Sequence, residues 1–167
     1  MEAPVDRETF LKIMTAFPTG VAVITTVDGS GARRGLTSNA VTSASASPPL
    51  LLVCVDKNSR TLPALIEAGA FVVNFMADNS EDICCLFASK AEEKFNGVCW
   101  TESPSGFPVL HEHTLAWAEC ALHQHIEMGD HIVLVGLVRH GEAGPLERRP
   151  ISYFRRAFQP YPVEVAR

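Results

Sequence analysis

Long hydrophobic runs are missing from this sequence: no apolar stretch approaches the length of a membrane span,. The N-terminal residues MEAPVDRETF lack the basic and apolar regions of a secretory signal,. An excess of positive charge is missing too. Fourteen Lys and Arg face nineteen Asp and Glu, a formal net charge of -5, which speaks against a surface built to coat nucleic acid,. Charged residues make up 20% and hydrophobic ones 47%, so disorder is not expected,. The five cysteines, Cys54, Cys84, Cys85, Cys99 and Cys120, are an odd number in apolar settings. That excludes a tidy secreted disulfide framework and predicts reduced thiols in a cytoplasmic protein,. Repeats, low-complexity tracts and linkers are also absent, and 167 residues suffice for one domain with a real core,.

What is present reads mainly as strand. Phe10, Ile13, Met14 and Phe17 recur at helical spacing, with Asp6 placed to cap the start and Pro18 and Gly20 to end the helix,. GVAVITTV and GLTSNAVTSASAS flank the turn DGSG and predict a hairpin whose second strand is small and polar,. Pro48 and Pro49 break it, and Leu50 to Val55 predicts a fully buried strand. KNSRTLPALIEAG predicts a loop entering a short helix, capped by Ser59 or Thr61 and stopped by Gly69,. AFVVNFM predicts a strand and NSEDICCLFASK a helix with acids in its first turn,. Residues 91–108 carry little pattern. Two long strands, TLAWAECALHQHIEM and HIVLVGLVRH, close the core before the tail PISYFRRAFQPYP. Strands dominate without regular helix alternation, and no GxGxxG follows the first strand. A β-barrel of the α+β kind is expected over a doubly wound sheet.

Thr37 to Ser45 has strand length, yet hydroxyls and amides occupy both faces. Small polar groups leave room for a flat ligand and offer donors and acceptors to a ring edge or phosphate; an exposed edge strand is the plainer alternative. Asp56 to Thr61 follows a buried strand and opens a helix. Lys57, Arg60, the Ser59 and Thr61 hydroxyls and free helix amides make either an anion site or an ordinary cap among solvated charges. No Walker glycines are present. In the tail, Arg148, Arg149, Arg155 and Arg156 surround Tyr153 and Phe154, a cluster suited to an anion and a ring but also to plain surface packing.

A metal site is not expected. His111 and His113, and His123 and His125, form two H-x-H pairs; in a strand, residues i and i+2 share a face, so each pair could chelate,. The apolar set Ala116, Ala118, Cys120, Leu122 and Ile126 turns Cys120 inward, however, and leaves His123 and His125 with Glu119 on the other face, so the ligands diverge. The vicinal Cys84 and Cys85 cannot readily share a helix face. At the mouth of the last strand, Gly129, Asp130 and His131 fit turn chemistry or a place where a ligand arrives.

In chain order, FPTGVAVITT, GLTSNAVTSASASPPLLLVCVDKNSRT, GAFVVNFM, FASKAEEKF, GDHIVLVGLV and PISYFRRAF together resemble the short-chain flavin reductase family, the reductase components of two-component flavin-dependent monooxygenases. The match runs over roughly residues 10–158. The resemblance implies an FMN-binding split β-barrel, a homodimer, that binds FMN or FAD and oxidises NADH or NADPH. It implies flavin contacts at Thr37, Ser38, Asn39, Ala40, Ser43, Ser45, Cys54, Asp56 and Phe95. Lys57, Ser59, Arg60 and Thr61 would lie near the ribityl phosphate, with Arg60 at a position that varies in such proteins. Gly129, Asp130, His131, Tyr153 and Arg155 would border the nicotinamide coenzyme, with Asp130 and His131 at the reacting rings. Ile151 stands where the family commonly has Leu. Reduced flavin would pass to a separate oxygenase; a flavin-binding module without efficient turnover, or a reductase of ferric iron or a corrinoid, is the alternative.

Overall fold

The computed structural model describes residues 3–161. Helix α1 (Arg7–Thr15) starts at Asp6, whose carboxylate accepts the Thr9 amide at 2.7 Å and satisfies one of the first-turn donors that lack a helical partner,. The helix has the amphipathic spacing its sequence predicts, but none of its residues is buried. Phe10, Ile13, Met14 and Phe17 are 52, 57, 45 and 62% exposed.

The body of the molecule is a seven-stranded antiparallel sheet. Its strands are β2 (Ala22–Val27), β3 (Arg33–Ser38), β4 (Val41–Ala46), β5 (Pro49–Asp56), β6 (Ala70–Met76), β9 (Thr114–Met128) and β10 (His131–Ala143), in the order β3-β2-β6-β9-β10-β5-β4. The two edge strands, β3 and β4, are consecutive in the chain and joined by Asn39 and Ala40. The sheet therefore curls until its edges meet at that corner, which makes it a split barrel rather than an open sheet. Two short strands, β7 (Thr101–Glu102) and β8 (Pro108–Val109), pair outside it. β1 (Thr19–Gly20), β11 (Ile151–Phe154) and β12 (Ala157–Pro160) form a small third sheet.

Strand β2 shows why the continuous β-branched run is needed. Ala22 and Ile24 point into the barrel with Val53, Phe71 and Leu134, whereas Val21 and Val23 point outward against Met76, Phe87 and Ile151. Both faces are buried, so alternation is lost from the sequence. The outer cluster is roofed by α3 (Glu81–Ala88), which turns Cys84 and Phe87 inward and leaves Cys85 exposed. Helix α2 (Leu62–Ala68) ends at Gly69 in the left-handed conformation, φ 63°, the C-terminal stop its sequence predicts,.

Five expectations need correction. His111 and His113 lie in a short 3₁₀ helix (His111–His113) ahead of β9, not in a strand, so they share no strand face. Thr37 to Ser45 is two strands, with Asn39 and Ala40 as the corner between them. β5 is fully buried on one face only: Leu51, Val53 and Val55 are buried, whereas Leu50, Leu52 and Cys54 on the other face are half-buried. Glu119 faces away from Cys120 as expected, but that face is buried rather than exposed: its carboxylate accepts the Ser105 amide at 3.1 Å and the Ser105 hydroxyl at 2.5 Å. The loop before β8 lies over that face and supplies the partners a buried carboxylate requires. α2 begins after Thr61, but the Thr61 hydroxyl leaves its own helix and donates to the Gly35 carbonyl at 3.1 Å. The helix is thereby bolted to β3. Among the described residues no helix is long and apolar enough to cross a membrane.

Candidate functional site

Three segments far apart in sequence meet at one end of the barrel. β10 pairs with β5 so that His131 faces Asp56 and Val133 faces Cys54. The Lys57 amide donates to the Asp130 carbonyl at 3.0 Å, and the Cys54 amide donates to the Ala40 carbonyl at 2.9 Å. The polar corner, the 56–61 loop and the Gly129–His131 hairpin are therefore contiguous. Gly129 sits at φ 60° in the two-residue turn between Met128 and His131, a conformation that glycine adopts without steric cost,. A Cβ there would meet nothing within 4 Å, so its role in this chain is the turn rather than a close backbone approach.

Asp130 and His131 form a pair: Nδ1 lies 2.8 Å from Oδ1, with the side chains 43 and 85% exposed for His131 and Asp130. The hydrogen bond to His131, its charge and the more distant charge of Arg7 hold the Asp130 carboxyl below the ordinary range,. With Nδ1 donating to Asp130, the Nε2 of His131 remains for a ligand. The same carboxylate thus fixes which nitrogen is offered. Lys57 reaches the other strand of the hairpin, its Nζ 3.0 Å from Glu127.

At the corner, the Thr37 hydroxyl donates to the Cys84 carbonyl at 2.7 Å and ties β3 to α3. Ser38 is buried and its Oγ accepts the Ala40 amide at 3.1 Å; Asn39 is exposed and donates to the Thr19 hydroxyl at 3.2 Å. Ser43 is exposed, and the half-buried Ser45 accepts the Ser47 amide at 3.2 Å. In the loop, Asp56 accepts from Asn58 and Ser59 accepts the Thr61 amide at 3.3 Å. Arg60 turns its guanidinium to the Lys90 and Ala91 carbonyls. Phe95 stands edge-on to Phe87 at 5.1 Å and to Trp100 at 6.4 Å, inside the outer core cluster.

The tail approaches from the other side. Tyr153 pairs with Thr19, which already holds Asn39, so the tail hairpin abuts the polar corner. Arg155 and Arg156 form its turn at φ 49° and 66°, and the Arg155 amide donates to the Thr15 carbonyl of α1 at 3.2 Å. With Lys12 they line a cavity of about 390 Å³ against α1. Arg148 and Arg149 stand apart from this cluster. Arg148 donates to the His111 and Thr114 carbonyls at 2.8 and 2.7 Å, which secures the start of β9. Sequence reasoning missed Lys94, whose Nζ donates to the Gly35 and Phe87 carbonyls at 3.2 and 2.7 Å. In KAEEKF it looks like one more solvated charge; only the fold carries it under β3. No three His, Cys, Asp or Glu side chains converge as a metal site among the described residues.

Curled barrel, polar corner, loop and charged hairpin bring small hydroxyls, the Lys57 loop and the Asp130–His131 pair together at one end of the barrel. A family model described as a flavin reductase like domain matches residues 14–162, and the chain belongs to that family. A flavin reductase (NADH) from Kitasatospora aureofaciens is 42% identical over 161 residues, covering 96% of this chain and 84% of that protein. The reductase subunit HsaB of a flavin-dependent monooxygenase from Rhodococcus jostii is 36% identical over 151 residues, covering 90% and 76%. Among solved structures, the NADH:FAD oxidoreductase SgcE6 of Streptomyces globisporus, in complex with NAD and FAD fragments, superposes with a TM-score of 0.89 at 32% identity, covering 99% of each chain.

Proposed function

We propose that this protein is an NAD(P)H:flavin oxidoreductase that takes a hydride from NADH or NADPH, reduces FMN or FAD, and supplies the reduced flavin to a separate monooxygenase. The observation that carries this reading is the meeting of the polar corner, the 56–61 loop and the Asp130–His131 pair at one barrel end. The donor set suits a flavin: small hydroxyls, backbone amides and a cationic loop, with no bulky side chain at Ser38 to Ala40 or Ser43 to Ser45 to close the surface,.

A bound flavin supplies the hydride acceptor, and its own ring system carries the redox chemistry. The protein works by positioning. Thr37, Ser38, Asn39, Ala40, Ser43, Ser45, Cys54 and Asp56 would line the flavin ring, and Phe95 would back it from the outer core cluster, where it packs on Phe87 and Trp100. Lys57, Ser59, Arg60 and Thr61 take the phosphate. His131 hydrogen-bonds the coenzyme's carboxamide or pyrophosphate through Nε2, and Asp130 holds the imidazole in that orientation. Gly129 sets the turn, while Tyr153 and Arg155 border the coenzyme from the tail. Neither Asp130 nor His131 needs to act as an acid or base in the hydride step.

One domain carries this activity, with its core over roughly residues 10–158. The protein acts as a homodimer in the cytoplasm. The uncovered apolar row of α1 supports self-association, and five free cysteines with Cys85 and Cys99 exposed suit a reducing compartment,. Neither nucleic acid nor membrane is a partner. A flavin-binding module without turnover would have no use for a carboxylate-oriented imidazole at the hairpin, which favours the enzyme. The test is His131→Ala: coenzyme oxidation slows at least tenfold while flavin affinity stays within twofold. Equal losses in both would remove His131 from the coenzyme site.

A further inference from the structure

Two cations are held together without an anion. Arg60 bonds only to the Lys90 and Ala91 carbonyls, and Lys94 only to those of Gly35 and Phe87. Neither forms an ion pair among the described residues, although Glu92 and Glu93 lie on the same rim. Burial and the nearby charge of Arg60 both push the Lys94 pKa down, the mark of an ammonium group short of compensation,. The two line a cavity of about 380 Å³ that continues from Thr61 at the phosphate loop to Arg33 on β3. The guanidinium carbon of Arg33 stands over Trp100, 3.8 Å from the ring centroid. A guanidinium that covers one aromatic ring can offer its other side to a second.

We propose that this cavity receives the adenylate half of FAD, with Arg60 and Lys94 at the diphosphate and Arg33 beneath the adenine, so that the chain selects FAD over FMN. The inference rests on the flavin reductase reading and names its flavin. FMN would end at the loop and leave the cavity beyond it empty. FAD adds a second phosphate, which compensates the facing cations, and a flat base for the Arg33–Trp100 platform. Arg33 is exposed at the edge of the barrel, so replacing it reaches the outer core only through the half-buried Trp100 ring.

The test is equilibrium binding to the purified full chain, followed by quenching of flavin fluorescence, with FAD and FMN as ligands and AMP as competitor. FAD should bind at least tenfold more tightly than FMN, and AMP should displace FAD while leaving FMN bound. Arg33→Ala should weaken FAD about two- to fivefold and leave FMN unchanged. Arg33→Lys, which keeps the charge and loses the flat surface, should fall between. FMN binding as tightly as FAD, or Arg33→Ala weakening both equally or neither, overturns the assignment even if NADH is still oxidised. Failure to bind either flavin would overturn the flavin reductase reading itself.

Discussion

Replacing Gly35 by alanine tests how the fold supports the site. Gly35 is buried in β3, and a Cβ there would stand 2.6 and 2.7 Å from the edge of the Phe87 ring and 3.1 Å from the Ile24 carbonyl oxygen. Phe87 is 1% exposed and packs edge-on to Phe95, so its ring cannot swing clear as a surface side chain would. Overpacking by one carbon in such a place costs about 1–3 kcal/mol. For a chain of this size that lowers Tm by about 2–12 °C. The Gly35 carbonyl also receives Thr61 and Lys94, so any shift of β3 is transmitted to the loop. Thermal unfolding and flavin titration on one sample should therefore move together. Phe87→Leu alone should destabilise by about 1 kcal/mol or more through lost packing, yet cost less in the Gly35→Ala background, a coupling of about 0.5–3 kcal/mol. Wild-type Tm and flavin affinity in Gly35→Ala, or strict additivity in the double variant, would refute the packing account.

Three other outcomes follow from the geometry. Arg156→Gly removes a left-handed non-glycine residue, φ 66°, and should raise Tm by a few degrees; an unchanged Tm would mean the turn is not strained,. Burial pushes the Cys84 and Cys120 thiols up to about 12, so thiol reagents at neutral pH should label the exposed Cys85 and Cys99 first, and added flavin should slow labelling of Cys54,. Burial raises the Glu119 pKa, but hydrogen bonds from Ser103 and Ser105 and the charge of His140 outweigh it and leave the net value lowered. Its stabilisation is present above the ordinary glutamate range and is lost as pH falls through the depressed folded value. Glu119→Gln should therefore melt below wild type at pH 7, and the gap should close toward pH 3; a constant gap would contradict the assignment.

Much of this was legible because local signals agreed with the tertiary context. β6 and β9 have the boundaries their apolar patterns predict, and Gly69 ends α2 as a left-handed stop. Thr37 to Ser45 was harder: an unbroken polar run carries no periodicity to mark a corner, so two strands looked like one. Glu119 misled for a different reason. Alternation assigns faces but cannot say that a remote loop, here residues 103–107, will cover the outer one. The Phe10 to Phe17 row announced an apolar face and was silent on what meets it. Within the site, the hairpin was visible as Gly129, Asp130 and His131, whereas Lys94 was not, since its importance comes from lying beneath Gly35 rather than from its neighbours in sequence.

The central claim is hydride transfer from NADH to flavin, and oxidation of NADH in air by the purified protein measures it most directly, with and without added FMN or FAD. The account predicts slow oxidation without flavin and strong stimulation when flavin is added, as a reductase that releases its reduced product requires. A yellow protein that keeps its flavin yet leaves NADH and NADPH unoxidised would contradict it.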